Sequence, residues 1–135
     1  MTAVLLDTHT LIWLMQGEGR IGVESRRLAD GAALDDGLFV SAISFWEVAL
    51  LTRRRRISLS QPPAAWRRTA LQFGVQEIPV TGDIGIVATE LEDFPRDPAD
   101  RIIAASATVR GILLLTADSD ILAWGGLLKR HDARK

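Results

Sequence analysis

Four acidic side chains stand where a carboxylate is expensive. Asp7 closes the apolar run Ala3–Leu6, and Glu47 lies within Ile43–Leu51, a stretch apolar on nearly every helical face. Asp100 falls in the first turn of a helix opening at Pro98, and Asp118 follows the apolar run Ile112–Thr116 by two residues. Clustered carboxylates repel one another, so a cluster either neutralises a member or takes up a cation. With no Cys and only His9 and His131, the chain offers hard oxygen ligands. Those suit Mg2+ or Mn2+, one or two ions, rather than zinc. A cation so held can activate a bound water. The spacing does not say what that water attacks. Each acid also has an ordinary structural use. Ser44-x-x-Glu47 is a capping-box pattern. Asp97-Pro98-x-Asp100 places Asp97 as the cap, Pro98 at the first helical position and Asp100 near the helix dipole. Asp7 and Asp118 could each cap the helix that follows.

The elements around these residues decide between the two uses. Apolar runs read as strands at Ala3–Leu6, Gly37–Ser41, Gln76–Val80 and Ile112–Thr116, with an edge strand at Leu127–Leu128. Helical spacing covers Leu11–Met15, Val23–Ala33, Ile43–Thr52, Ala64–Phe73, Thr81–Leu91 and Pro98–Arg110, the last closed by Gly111, and a short helix lies within Ala117–Trp124. Alternating strands and helices, with continuously apolar strands, predict an α/β fold. Its central parallel sheet has four to five strands, with helices on both faces in three αβα layers. Function in such sheets sits beyond the carboxyl ends of the strands. Asp7 and Asp118 follow strands directly, Glu47 lies early in the helix leaving strand two, and Asp100 opens the helix returning before strand four. All four acids therefore converge on one edge. No Lys is placed among them, and Arg101 neighbours only one.

Composition narrows the classes. The 135 residues fit one domain spanning 1–135. Absence of Cys excludes a disulfide scaffold, a zinc ribbon and a thiol nucleophile, and fits a reducing compartment. Apolar residues at 47% and charged residues at 24% are globular values. The net charge of -1 gives no general attraction to nucleic acid or membrane. Among the 16 basic residues only Lys129 and Lys135 are lysines, which argues against Walker-type ATPases, receiver domains and Schiff-base enzymes. Arginine dominance hints at a GC-rich bacterial genome. No run is long enough to span a membrane, and the start lacks a signal peptide's basic region. A cytoplasmic protein is expected.

The motifs resemble a known family. Leu5-Leu-Asp7-Thr-His-Thr-Leu-Ile-Trp13 is similar to the opening of a PIN domain. Val40-Ser-Ala-Ile-Ser44-Phe-Trp-Glu47-Val, Asp97-Pro-Ala-Asp100-Arg-Ile-Ile-Ala-Ala105 and Leu114-Leu-Thr116-Ala-Asp118 resemble its later acidic motifs, in order. The resemblance runs from about residue 3 to residue 128, and its nearest subgroup is the bacterial VapC-type toxins. It implies a PIN-like fold and a metal-dependent endoribonuclease that inhibits translation until a VapB-like antitoxin neutralises it. It also implies a homodimer, and leaves open a larger complex with antitoxin. The RNA substrate, whether tRNA, rRNA or mRNA, is left open. Carried over, the catalytic and metal-binding acids are Asp7, Glu47, Asp100 and Asp118, with Asp97 or Asp120 as further candidates. Thr116 is expected to orient a carboxylate, and Thr8 and Ser44 are weaker candidates for that role. His9 lies beside the site in sequence and is open as a substrate contact.

The consecutive arginines Arg53, Arg54, Arg55 and Arg56, with Arg67 and Arg68 nearby, form either a phosphate-binding patch or a solvated helix end. Apolar neighbours assign Trp13 and Trp46 to the core, while Trp66, between Ala65 and Arg67, suits a partner surface. Three other readings stay open. One is a housekeeping PIN nuclease acting on RNA or structured DNA. Another is a binding protein that has lost catalysis. The third is a haloacid-dehalogenase-type phosphatase. That last chemistry wants an Asp two residues after Asp7, where His9 stands, and a later Lys that is missing.

Overall fold

Hydrophobic runs too short to stand alone become strands here because both of their faces are covered. In the computed structural model, which describes residues 2–17 and 19–135, the central strands are β1 (Val4–Leu6), β2 (Leu38–Ser41) and β4 (Leu113–Thr116). β3 (Gln76–Ile78) and β5 (Arg130–Asp132) flank them, and the order β3-β2-β1-β4-β5 is parallel throughout. Leu5 sits in register with Phe39 and Leu114. Alternate residues of β1 serve different cores. Val4 and Leu6 pack with Leu11, Ala29, Val48 and Trp66, while Leu5 packs with Ile84, Ile103, Leu114 and Ile121. That two-sided burial explains the continuous apolar runs.

Seven helices are seen among the described residues. One layer holds α1 (Thr8–Gln16), α2 (Val23–Leu34), α3 (Ala42–Arg53) and α4 (Pro63–Gln72). The other holds α5 (Gly82–Glu90), α6 (Pro98–Arg110) and the short α7 (Ser119–Ala123). α6 spans the expected residues and ends at Gly111, whose φ of 65° favours glycine. No described helix is long and apolar enough to cross a membrane.

Three expectations are corrected. The edge strand is Arg130–Asp132, not Leu127–Leu128; Leu127 is 95% exposed. An edge strand needs backbone pairing more than apolar side chains, and Arg130 fixes this one. Its guanidinium donates to the carbonyls of Leu122, Trp124, Gly126 and Leu128, pinning the loop that leads into the strand. Second, Ser44 does not open a capping box. Helix α3 starts a turn earlier, with Ser41 accepting from the Ile43 amide, so Ser44 is a buried interior residue. Third, the tryptophans on α3 and α4 exchange roles. Trp66 is 3% exposed and packs edge-on against Phe45, whereas Trp46, one residue further along α3, is 57% exposed. Its neighbours in sequence are apolar, but the helix turns it outward.

Candidate active site

All five strands end at one edge, and five acids line a cleft there. Asp7 follows β1 and caps α1: its Oδ1 accepts from the Thr10 amide at 2.9 Å. Its Oδ2 accepts from the Thr116 hydroxyl at the end of β4, at 2.5 Å. Capping leaves Asp7 able to serve as a ligand too, since each oxygen keeps a lone pair beyond the one engaged. Thr116 also accepts from the Asp118 amide at 3.1 Å. Asp118 in turn caps α7, its Oδ1 accepting from the amides of Asp120 and Ile121. Asp97 caps α6 through the Asp100 amide at 3.0 Å. On α3, Glu47 accepts a short hydrogen bond from the Thr8 hydroxyl, which is bonded to the Ser44 hydroxyl at 2.9 Å.

One cleft of about 400 Å³ brings these groups together. Asp7, Glu47, Asp97, Asp100 and Asp118 line it, with Thr8, His9, Trp13, Ala117 and Arg134. Asp120 lies outside, in a separate concavity of about 990 Å³ beside Phe94 and Trp124.

The run of four arginines is not part of this cleft: Arg53, Arg54, Arg55 and Arg56 are all absent from its wall. Each is exposed, at the end of α3 that runs away from the sheet's carboxyl edge. Arg53 is the last helical residue and Arg54 the C-cap, its amide donating to the Leu50 carbonyl. Arg55 follows with a left-handed φ of 57°, and the Arg56 amide closes the turn on the Leu51 carbonyl. These four therefore stand apart from the acids, as a basic patch at the end of α3. A helix leaving the carboxyl edge carries its own C-terminus to the far side of the sheet, and there the charges complement the helix dipole.

The other arginines near the acids in sequence are also otherwise engaged. Arg67 is bound to Glu77 at 2.8 Å, and Arg101 turns from the acids to donate to the carbonyls of Ala88, Leu91, Phe94 and Pro95. Arg134, absent from the sequence reading, is the one Lys or Arg in the cleft among the described residues. No motif marks it; only the pairing of β5 with β4 carries it there.

Asp7, Glu47 and Asp100 hold protons more tightly than free carboxyls do. Burial raises the pKa of Asp7, against the lowering effect of the Thr10 and Thr116 hydrogen bonds. Burial also raises Glu47, opposed by the Thr8 hydrogen bond and reinforced by Asp97 and Asp7. Asp100 is pushed up to about 7, by burial first and then by the charges of Asp97, Asp118, Glu47 and Asp7. The second of these causes is the mutual repulsion expected of carboxylates brought to one place. Among the described residues, no three His, Asp or Glu side chains converge tightly enough to hold a metal ion as they stand. The all-oxygen donor set nevertheless suits a hard divalent cation, and the repulsion that raises Asp100 is what a cation relieves. The side chains would have to draw inward to share one.

The family model described as PIN domain matches residues 4–126. The chain is 35% identical over 119 residues to Ribonuclease VapC22 of Mycobacterium tuberculosis, covering 87% of this chain and 88% of that protein. Among solved structures, DNA-bound VapBC from Salmonella typhimurium superposes with a TM-score of 0.69 at 19% identity, covering 98% of each chain. VapBC2 from Rickettsia felis, bound to a promoter DNA fragment, gives a TM-score of 0.69 at 14% identity, covering 96% of this chain and 98% of that one. A toxin–antitoxin complex from Klebsiella pneumoniae gives 0.58 at 21% identity, covering 93% and 96%. At such identities the structural likenesses speak for the fold.

Proposed function

The chain belongs to the PIN-domain family and groups with its VapC-type ribonucleases; from that premise we propose that it cleaves RNA as the toxin of a toxin–antitoxin pair. The observation that carries the reading is the cleft itself, where Asp7, Glu47, Asp100 and Asp118 arrive from separate segments; there burial, and then the charges of its neighbours, push Asp100 up to about 7. These four acids would hold Mg2+ or Mn2+. When bound, the cation supplies a water of lowered pKa and polarises a phosphoryl oxygen of the RNA.

This chain's own residues set the stage for that chemistry. Thr116 and the Thr10 amide fix the Asp7 carboxylate from two directions. Thr8 and Ser44 hold Glu47 by a relay of hydroxyls. Asp100 sheds its proton near neutral pH and so completes the anionic site there. Asp97 caps α6 through one oxygen, and Asp100, which no described hydrogen bond engages through its carboxyl, is the better ligand of the two. The partner proposed is an antitoxin of the VapB kind, and the toxin itself is proposed to pair as a homodimer.

The test is cleavage of a pool of single-stranded RNA and tRNA by purified protein, with Mn2+ or Mg2+ and with chelator. Asp7→Ala and Glu47→Ala should each abolish metal-dependent cutting while circular dichroism shows an intact fold. Cutting that persists in either variant would sink the assignment of that acid. A folded wild type that cuts nothing with either metal would count against the nuclease.

A further inference from the structure

The geometry points to Arg134 as a substrate-binding residue that grips a phosphate of the RNA backbone at the carboxylate cleft, an inference that rests on the nuclease reading above. Five acids line the cleft and disfavour a polyanion, and a net charge of -1 offers no general attraction to offset that. A cation on the acids would offset that repulsion at the reacting phosphate, and a basic side chain on the wall would do so for a neighbouring one. Arg134 is the one Lys or Arg lining the cleft among the described residues, and its side chain is 54% exposed.

It is also held in a way that suits the task. Asp132 takes one edge of the guanidinium, with Nε donating to Oδ1 and Nη2 to Oδ2, both at 3.0 Å. That side-on fork engages Nε and one proton of Nη2. It leaves the edge formed by Nη1 and the second Nη2 proton, the arrangement that binds two phosphate oxygens at once. The Asp132 pairing also keeps the guanidinium from collapsing onto the four acids, so that less ordering entropy is lost on binding.

The backbone beneath Arg134 is bolted down on both sides. The Ala133 amide donates to the Thr116 carbonyl at 2.9 Å, on the residue whose hydroxyl holds Asp7. Gly22 donates to the Ala133 carbonyl at 2.9 Å and the Ser25 amide to the Lys135 carbonyl at 2.8 Å, at the start of α2. The Ser25 hydroxyl donates to the Asp132 carbonyl at 3.0 Å. Arg134 is therefore placed relative to Asp7 by a short chain of hydrogen bonds. The competing explanation is a surface ion pair that merely secures the segment.

Arg134→Ala, Arg134→Lys and the wild type would be compared on a fluorescein-labelled, mixed-sequence single-stranded RNA by anisotropy across a salt series, in chelator so that nothing is cut. Cleavage of total RNA with Mn2+ would be followed in parallel. We expect Arg134→Ala to weaken binding about tenfold and to flatten the log–log salt slope by roughly 0.7, the release associated with one single-strand phosphate. KM should rise more than kcat falls, and Arg134→Lys should restore the slope but only part of the affinity, since it brings the charge without the fork. Unchanged affinity and slope in Arg134→Ala, with only a lowered melting temperature, would overturn the inference and leave the ion pair as the explanation. Wild-type protein that neither binds nor cuts RNA would overturn the nuclease reading and this inference together. Wild-type cutting beside an indifferent Arg134→Ala would overturn the inference alone.

Discussion

Asp7 is 7% exposed, and its two oxygens are steered by donors on different segments. The Thr10 amide bond is a backbone cap and does not depend on the hydroxyl at position 10. The Thr116 bond does not survive Thr116→Val, a change of nearly constant volume. That variant should lose about 10–100-fold in cleavage rate, as groups that orient a metal-binding carboxylate typically do, while Thr116→Ser should retain most activity. Equal rates in Thr116→Val and wild type would show that Asp7 needs no such steering. Asp100 makes a prediction of its own. Its native pKa, about 7, lies above the ordinary 3.8, so the folded state binds more protons than the unfolded one between those values. The contribution to stability is whole below about 3.8 and is lost as pH rises through about 7. Asp7 and Glu47 are raised as well and act with the same sign. In chelator, melting temperature should fall across that window, and Asp100→Asn should flatten the fall. A profile in Asp100→Asn that parallels the wild type would assign the dependence to other groups.

Elements differ in how far their sequences betray them. β1, β2 and β4 are covered on both faces, so they read as apolar runs and are legible, as is α6 with Pro98 at one end and Gly111 at the other. The four acids are legible because strand ends and helix starts share one edge in a parallel sheet. The same rule, followed to the end of α3, takes Arg53, Arg54, Arg55 and Arg56 away from that edge; a run of charge draws the eye without saying where it lies. β5 is not legible, because its residues Arg130, His131 and Asp132 carry no apolar signal and its place is set by pairing with β4 and by the four carbonyls gathered on Arg130. Arg134 is hidden for the same reason. The outward turn of Trp46 escapes because an apolar helix gives no periodic cue to its exposed face. One glycine exposes the consequence of that last segment's packing. A Cβ at Gly22 would overlap the carbonyl carbon and oxygen of Lys135, a clash between backbone groups. Gly22→Ala should therefore push the 132–135 segment off α2, costing about 1–3 kcal/mol as overpacking does. Urea unfolding would measure it. A cost near zero would mean that the segment is free to move aside, and the placement of Arg134 would be correspondingly loose.

At the scale of the whole molecule, the candidate site is a seam. Asp7 sits between β1 and α1, Glu47 on α3, Asp100 on α6 and Asp118 between β4 and α7, so both helical layers and the sheet contribute. Without a cation these segments meet through like charges, and the fold tolerates them by burying protons on Asp100. A cation bound there would join all four at once, and because the unfolded chain has no such site, its binding free energy would appear as folding stability. At a hundred times its dissociation constant an ion adds about 2.7 kcal/mol. For a chain of this size that corresponds to a rise in melting temperature on the order of 10 °C. The rise should grow as pH passes upward through about 7, because below it a proton on Asp100 competes with the ion. Mn2+ added to chelator-treated protein, followed by scanning calorimetry at pH values on either side of that point, measures both effects. Asp7→Asn and Glu47→Gln should each remove most of the rise. An equal rise in both variants would place the ion elsewhere on the surface, and the four acids would then be a strained edge of the sheet with no cation to reconcile them.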